Sequence, residues 1–276
     1  MNFLFSADLH GNEGQYLKLF RYATECSIPL IVLGGDLSPK TPDKRNPAAQ
    51  RGFFVDFLFK QTRSFPGKVF LILGNDDYKQ NLPFLKEQAP LYNFEVIDKP
   101  RVCQGFTFAG YSYVPYTPFL WKDWERRDLK TDTLDALRPD VRTVGKMDFT
   151  MPYDIRSHYF DHSIEEDLEN LIKDIPQDNL ILITHAPPFD TVCDQMNDGG
   201  QKRSIGSVGV RRIIEKYQPL LTLHGHIHDS AENAGAYQQH IKKTVCATVS
   251  NDHQTDHVWI LDITPGPPPV IERKCL

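Results

Sequence analysis

The chain has no C-x-x-C pair, no apolar run long enough to cross a bilayer and no excess of positive charge. Each absence closes off a class of protein. Without a C-x-x-C pair there is no zinc knuckle. The five cysteines present, Cys26, Cys103, Cys193, Cys246 and Cys275, are odd in number and widely spaced. That suits free thiols in a reducing compartment better than a disulfide framework. A membrane-crossing helix needs about 20 consecutive apolar residues, so no membrane partner is expected. The N-terminus lacks the basic start and long apolar stretch of a signal peptide, and Cys275 beside the terminal Leu276 is not placed for prenylation, so the expected location is cytoplasmic. Lysine and arginine total 31 against 36 aspartates and glutamates, a net charge of −5, with a pI near 6.1. That balance argues against nucleic acid as a partner, though it leaves room for a local basic patch. Internal repeats, low-complexity tracts and interdomain linkers are also missing, and the 276 residues are expected to form one domain over 1–276.

What the chain does contain is an ordinary globular composition, 40% hydrophobic and 24% charged, and five short apolar runs that each end in a metal-binding side chain. Phe3-Leu4-Phe5 leads to Asp8-Leu9-His10-Gly11, and Leu30-Ile31-Val32-Leu33 leads to Gly34-Gly35-Asp36. Val69–Leu73 leads to Gly74-Asn75-Asp76-Asp77, Leu180–Ile183 to Thr184-His185, and Leu220–Leu223 to His224-Gly225-His226-Ile227-His228. Runs of this length and composition, bounded by Gly or Asp, read as buried strands. Ligand sites in open α/β sheets lie beyond the carboxyl ends of strands. One sheet edge is therefore expected to collect Asp8, His10, Asp36, Asn75, His185, His226 and His228, a cage large enough for two divalent ions. Hard oxygen from Asp and Asn mixed with imidazole nitrogen suits Mn, Fe, Zn or Ni. Taken singly these residues would be caps, turns or structural histidines; their conjunction at five successive strand ends points to a metal site.

Between the runs, the stripe Tyr16, Leu19, Phe20 and Ala23 predicts a helix after an Asn12/Gln15 cap, and Phe54, Phe57 and Leu58 mark a second. This β-α-β-α-β series is the pattern of a mostly parallel, helix-flanked sheet. Ser38–Pro47 reads as a loop. Phe94–Ile97 and Phe106–Ala109 are expected at the far side of the same sheet, and Thr244–Val249 with His257–Asp262 as antiparallel strands of a second. Residues 111–160, with Tyr111, Tyr113, Tyr116, Phe119, Trp121 and Trp124 among charges and prolines, read as an insertion covering or rimming the body. Its aromatics are expected to pack on the body; contact with substrate or with a second subunit in a homo-oligomer is the other reading. Ser163 and Glu166 make a capping box for a helix striped by Ile164, Leu168, Leu171, Ile172 and Ile175, and a further helix starts near Ser207.

The series D-L-H-G, G-G-D, G-N-D-D, T-H and H-G-H-I-H, running from Asp8 to His228, resembles the calcineurin-like metallophosphoesterases, and its H-A-P-P and H-G-H-I-H-D stretches resemble the small phosphodiesterase-like branch. The resemblance implies a four-layer α/β/β/α sandwich of two mixed β-sheets flanked by helices. It implies that Asp8, His10 and His228 hold one ion, that Asn75, His185 and His226 hold the second, and that Asp36 bridges them. The D-R-G continuation of the Ser/Thr protein phosphatases is absent, since Asp36 runs into Leu37-Ser38-Pro39. Asp76 stands where the family usually has a histidine that contacts the phosphoryl group and helps protonate the leaving oxygen. Beside two cations its pKa is expected to fall, leaving a charged group that is a poor acid. His224 and His253 are alternative proton donors.

The expected function is hydrolysis of a phosphodiester or other small phosphate ester by attack of a hydroxide shared between two metals. Arg203 and Lys202 are candidate phosphate contacts from the loop after His185, and the N–H groups near Gly206-Ser207, opening a helix, are a candidate anion site. The alternative is a metal-binding scaffold of the same fold with little or no turnover.

Overall fold

The computed structural model describes residues 2–41, 43–158 and 161–276. Met1, Pro42 in the 38–47 loop, and Tyr159 and Phe160 at the end of the expected insertion lie outside the described residues.

Two six-stranded mixed sheets face each other. In the first, Phe3–Ser6, Leu30–Gly34, Lys68–Ile72 and Phe94–Val96 run parallel, and Trp259–Thr264 and Val270–Cys275 complete the edge beyond Phe3–Ser6. In the second, Thr244–Thr248, Leu221–His224, Leu180–Thr184 and Phe106–Tyr111 run parallel, with Gln238–Ile241 and Arg101–Cys103 as antiparallel edges.

The strands read as continuous apolar runs because both faces are covered, and alternate residues serve different layers. Phe3, Phe5, Val32, Phe70 and Ile72 point between the sheets, where they meet Phe108, Ile181, Ile183, Leu223 and Val245. The Phe108 ring sits edge-on to both Phe3 and Phe70, at centroid distances of 5.5 and 5.4 Å. Leu4, Ile31, Leu33, Val69 and Leu71 point outward onto the Glu13–Glu25 helix, whose stripe Tyr16, Leu19, Phe20 and Ala23 is buried, and onto Phe53, Phe54 and Phe57. Leu180, Leu182 and Cys246 face the Ile164–Ile172 and Val208–Tyr217 helices. Each such fully buried side chain contributes about 1.5–3 kcal/mol, so the period-2 patterning is what drives the four layers together.

The second helix is one of α-turns at Pro47–Phe53 and Phe59–Ser64 joined by a π-turn at Phe54–Leu58. The Ser163/Glu166 capping box is present. The Asn12 side chain accepts from the Gln15 backbone, but the Gln15 side chain instead donates to the Asp252, Thr255 and His257 carbonyls, tying the first helix to a distant loop.

Two strand assignments are corrected. Phe106–Tyr111 belongs to the second sheet, paired with Leu180–Thr184; Trp259–Thr264 belongs to the first, antiparallel to Phe3–Ser6, and so does not pair with Thr244–Thr248, which runs parallel to Leu221–His224 in the second. Both are mostly buried and carry an apolar face, and tertiary pairing decides which sheet they join. The insertion carries more regular structure than expected, in a Val144–Met147/Met151–Asp154 hairpin and a short parallel pairing of Val114-Pro115 with Glu125-Arg126.

Candidate metal centre and cleft

Three ligand-bearing strand ends come from the first sheet and two from the second, so the site forms where two sheets meet and not along the single edge expected. The turns that carry the ligands are laced together. Asp8 N–H donates to the Gly35 carbonyl (3.0 Å), His10 N–H to that of Asp36 (2.8 Å) and Gly11 N–H to that of Leu37 (2.9 Å). The buried Asp77 carboxylate accepts from the backbone of Leu37, Ser38 and Gly74, locking the second turn to the third. Asp8, His10, Asp36 and His226 all adopt left-handed backbone, with φ of 59, 41, 52 and 71°. Such strain costs on the order of 1–3 kcal/mol per residue and persists only where surrounding bonds over-determine it. Gly74 has no room for a side chain, since a Cβ there would lie 2.2 Å from Asp36 Oδ1.

Ligand atoms of Asp8, His10, Asp36 and His228 all lie within 4.8 Å of one another. Asp36 faces two ways: Oδ2 is 3.5 Å from His10 Nε2, and Oδ1 is 3.5 Å from His185 Nε2. The Asn75 side-chain Oδ1 is 3.1 Å from His185 Nε2. The His226 ring centroid lies 5.2 Å from that of His185. The backbone N–H of His226 donates to both Asp8 oxygens, at 2.9 and 3.1 Å, which orients that carboxylate. All seven residues named from the sequence thus converge.

The donor set fits divalent ions. Burial holds His10 well below its ordinary pKa and brings His226 to about 3 and His228 to about 4, so these imidazoles favour the neutral form that a metal requires. The Nε2 atoms of His10 and His228 face each other at 3.2 Å. His185 Nδ1 donates to the Gly34 carbonyl (2.9 Å), which fixes the ring and turns Nε2 toward Asp36 and Asn75. Burial opposes charge on His185, but the Asp36 carboxylate outweighs it and lifts the imidazole to about 9. Burial likewise opposes charge on Asp36, yet the charge and hydrogen bond of His185, with the Asp76 N–H, hold it well below the usual carboxylate range. The groups around Asp36 thus already favour positive charge at the place where two cations would be held.

The lowered Asp76 expected from the sequence presupposed adjacent cations. The protein's own groups act the other way: burial and then Asp36 push Asp76 up to about 6, while Arg45 and Lys40 pull it down. His224 is not a proton donor to substrate. It is fully buried, with Nδ1 on Thr184 Oγ1 and Nε2 on Thr222 Oγ1, both at 2.9 Å. His253 packs edge-on to His10 at 4.6 Å. Cys193 is buried in the outer core of the second sheet, which pushes its thiol well up.

A cleft of about 620 Å³ opens over Asp36, Asn75, Asp76, His226 and His228. The 111–160 segment forms much of its wall, through Tyr116, Phe119, Arg127 and Arg138. Other insertion aromatics pack on the body as expected: Trp124 enters the first sheet's outer core and donates to the Asp77 carbonyl (2.7 Å). Arg203 lines the cleft but is paired with Asp198 (2.7 Å). Lys202 is exposed and is not part of the cleft wall.

The anion site expected at Gly206-Ser207 is already filled. The Asp128 carboxylate, from the insertion, accepts from Ser207 Oγ and from the Val208 (2.6 Å) and Gly209 (3.0 Å) N–H groups. A helix start shows its donors in the sequence but not a distant acceptor. Asp128→Ala is expected to cost about 1–3 kcal/mol in urea denaturation, because three donors lose their partner; an unchanged midpoint would show the cap to be dispensable.

Sequence reasoning missed Lys40 and Arg45. Lys40 Nζ lies 3.2 Å from His10 Nε2, and Arg45 pairs with Asp76. The signal available was two basic residues in the loop that follows a ligand-bearing strand.

A model of the calcineurin-like phosphoesterases matches residues 1–230. An uncharacterised protein of Methanocaldococcus jannaschii, MJ1162, is 32% identical over 81 residues, a stretch covering 29% of this chain and only 36% of that relative. Among solved structures, TT1561 of Thermus thermophilus superposes with a TM-score of 0.54 at 17% identity, over 95% of this chain and 93% of that one. A dimetal phosphatase from Danio rerio gives 0.54 at 11% identity over 100% and 98%. GAP50, described as the anchor in the inner membrane complex of Plasmodium, gives 0.52 at 11% over 100% and 84%. At these identities the structural likeness speaks for the fold alone. No helix among the described residues is long and apolar enough to cross a membrane.

Proposed function

The chain belongs to the calcineurin-like phosphoesterase family, and we propose that it is a metal-dependent hydrolase of a phosphodiester or other small phosphate ester. In this reading the 276 residues act as one domain, and the unpaired cysteines suit the reducing cytoplasm. The observation that carries the proposal is Asp36, whose two oxygens face His10 on one side and His185 on the other. His10, Asp8 and His228 would hold one divalent ion, Asn75, His185 and His226 another, with Asp36 shared. When bound, such ions supply Lewis acidity and lower the pKa of water. The chain does the rest. The His185–Gly34 bond and the His226–Asp8 bonds pre-orient the ligands, and the cleft walls flank the place where substrate would sit.

Beyond Asp36, the cleft presents Asp76, Asp128, Asp132, Asp140 and Asp229 against Lys40, Arg127, Arg138 and Arg203. With most of these charges offset by one another, the lining has little surplus positive charge to offer the second negative charge of a dianionic monoester, which a monoanionic diester lacks. With Mn present, kcat/KM is therefore expected to be higher for bis-p-nitrophenyl phosphate than for p-nitrophenyl phosphate, and the reverse order would remove the diester assignment. The second reading, a metal-binding scaffold, is favoured by Asp76 in the place of a histidine. Stoichiometric metal with no turnover on Mn, Fe, Zn or Ni would support it.

A further inference from the structure

We propose that Lys40 is the phosphoryl-binding residue of this site, and that the Asp76–Arg45 ion pair is the device that holds it there. The inference rests on the phosphoesterase reading and supplies the contact which that reading leaves open at position 76.

Asp76 reaches three positively charged or ionisable groups. Arg45 Nη2 pairs with Oδ1, while Lys40 Nζ (3.8 Å) and His10 Nδ1 (3.9 Å) approach Oδ2. The backbone of Asp76 is pinned on both sides, its N–H donating to Asp36 Oδ1 (2.8 Å) and its carbonyl accepting from Gln50 Nε2 (2.7 Å). Arg45 is pinned too: Tyr78 Oη donates to its carbonyl (3.0 Å), and its guanidinium lies over the Trp121 ring at 5.7 Å. Lys40 and Asp76 line the cleft, whereas Arg45 does not. Arg45 therefore neutralises Asp76 from behind, and Lys40 is left as the cleft-facing positive charge of the trio.

A lone Asp76 beside the metal ligands would repel a phosphate. Asp76 paired with Arg45 does not, and two cations against one carboxylate leave a net positive charge facing the cleft. An ammonium is a compact three-donor group suited to a phosphoryl oxygen. Substituting Asp for His at position 76 thus moves the phosphate contact to a residue of the preceding motif's loop.

The test uses the full chain loaded with Mn and titrated calorimetrically with inorganic phosphate. Lys40→Gln is expected to weaken phosphate by at least about tenfold, the loss of one charge-assisted hydrogen bond. Its Mn content is expected to be equal or higher, because a cation beside His10 has gone. Arg45→Gln is expected to weaken phosphate severalfold by exposing the charge of Asp76, and Arg45→Gln/Asp76→Asn to recover it, a rescue that a purely structural role for Arg45 would not produce. An unchanged phosphate affinity in Lys40→Gln overturns the proposal, as does a fall in its Mn content or a wild-type protein that binds no phosphate. Should wild type bind phosphate through Lys40 yet turn over no ester, the phosphoesterase reading fails while this one stands.

Discussion

Asp36→Asn is expected to lose at least about a hundredfold in kcat/KM on a diester, the equivalent of some 3 kcal/mol of transition-state stabilisation. Elemental analysis is expected to find less than the wild-type complement of divalent ions. The substitution conserves shape and keeps an oxygen to accept from Asp76 N–H, so what is lost is the charge between His10 and His185. Full metal occupancy with unchanged turnover would sink the bridging role. The same charge has a second readout. Asp36 raises His185 from 6.5 to about 9 against the opposing effect of burial. A folded-state pKa above the unfolded one stabilises the fold fully below the unfolded value and ceases to do so as pH rises past the folded one. In EDTA, the wild type's stability advantage over Asp36→Asn is therefore expected to be largest between the ordinary values of the two groups, 3.8 for Asp36 and 6.5 for His185, to fade as pH rises through about 9, and to fade again in acid as Asp36 takes up its proton. A pH-independent difference would mean that the two groups are not electrostatically linked.

The convergence of the candidate ligands was legible in the sequence because each strand end breaks an apolar run with a side chain that has no place in a core. Asp8, His10, Asp36, Asn75, His185, His226 and His228 stand out for that reason, and the structure brings them together. Which sheet a strand joins was less legible. Phe106–Tyr111 and Trp259–Thr264 each present an apolar face that would fit either sheet, and the choice lies in pairing with Leu180–Thr184 and Phe3–Ser6. Asp76 and Asp77 are neighbours of one type in sequence, but one faces the cleft while the other is fully engaged by Leu37, Ser38 and Gly74 backbone. The roles of Lys40, Arg45 and Asp128 are set by partners in other segments, which no local pattern encodes.

The other large effect is expected inside the insertion. Lys122 and Glu125 are both buried, and Lys122 Nζ donates to Glu125 Oε2 (2.7 Å) and to the Thr117 carbonyl (2.8 Å). Burial pushes Glu125 up to about 7 and pulls Lys122 down, so each group's charge is supported chiefly by the other, with Thr117 assisting. Removing one partner leaves an uncompensated buried charge. Glu125→Ala is expected to cost about 3–5 kcal/mol in urea denaturation at pH 8, while Lys122→Met/Glu125→Leu recovers most of that loss. Because the folded Glu125 holds its proton more tightly than the unfolded one, its contribution favours the fold below pH 4.5 and is lost as pH rises through about 7. The wild-type stability curve should therefore slope downward across that window relative to the double variant. The pair ties Thr117, a residue of the cleft wall, to the turn before Glu125. Glu125→Ala is accordingly expected to raise KM for the diester as well, through a loosened wall. A variant that loses stability but keeps KM would show that the insertion covers the cleft without contacting substrate.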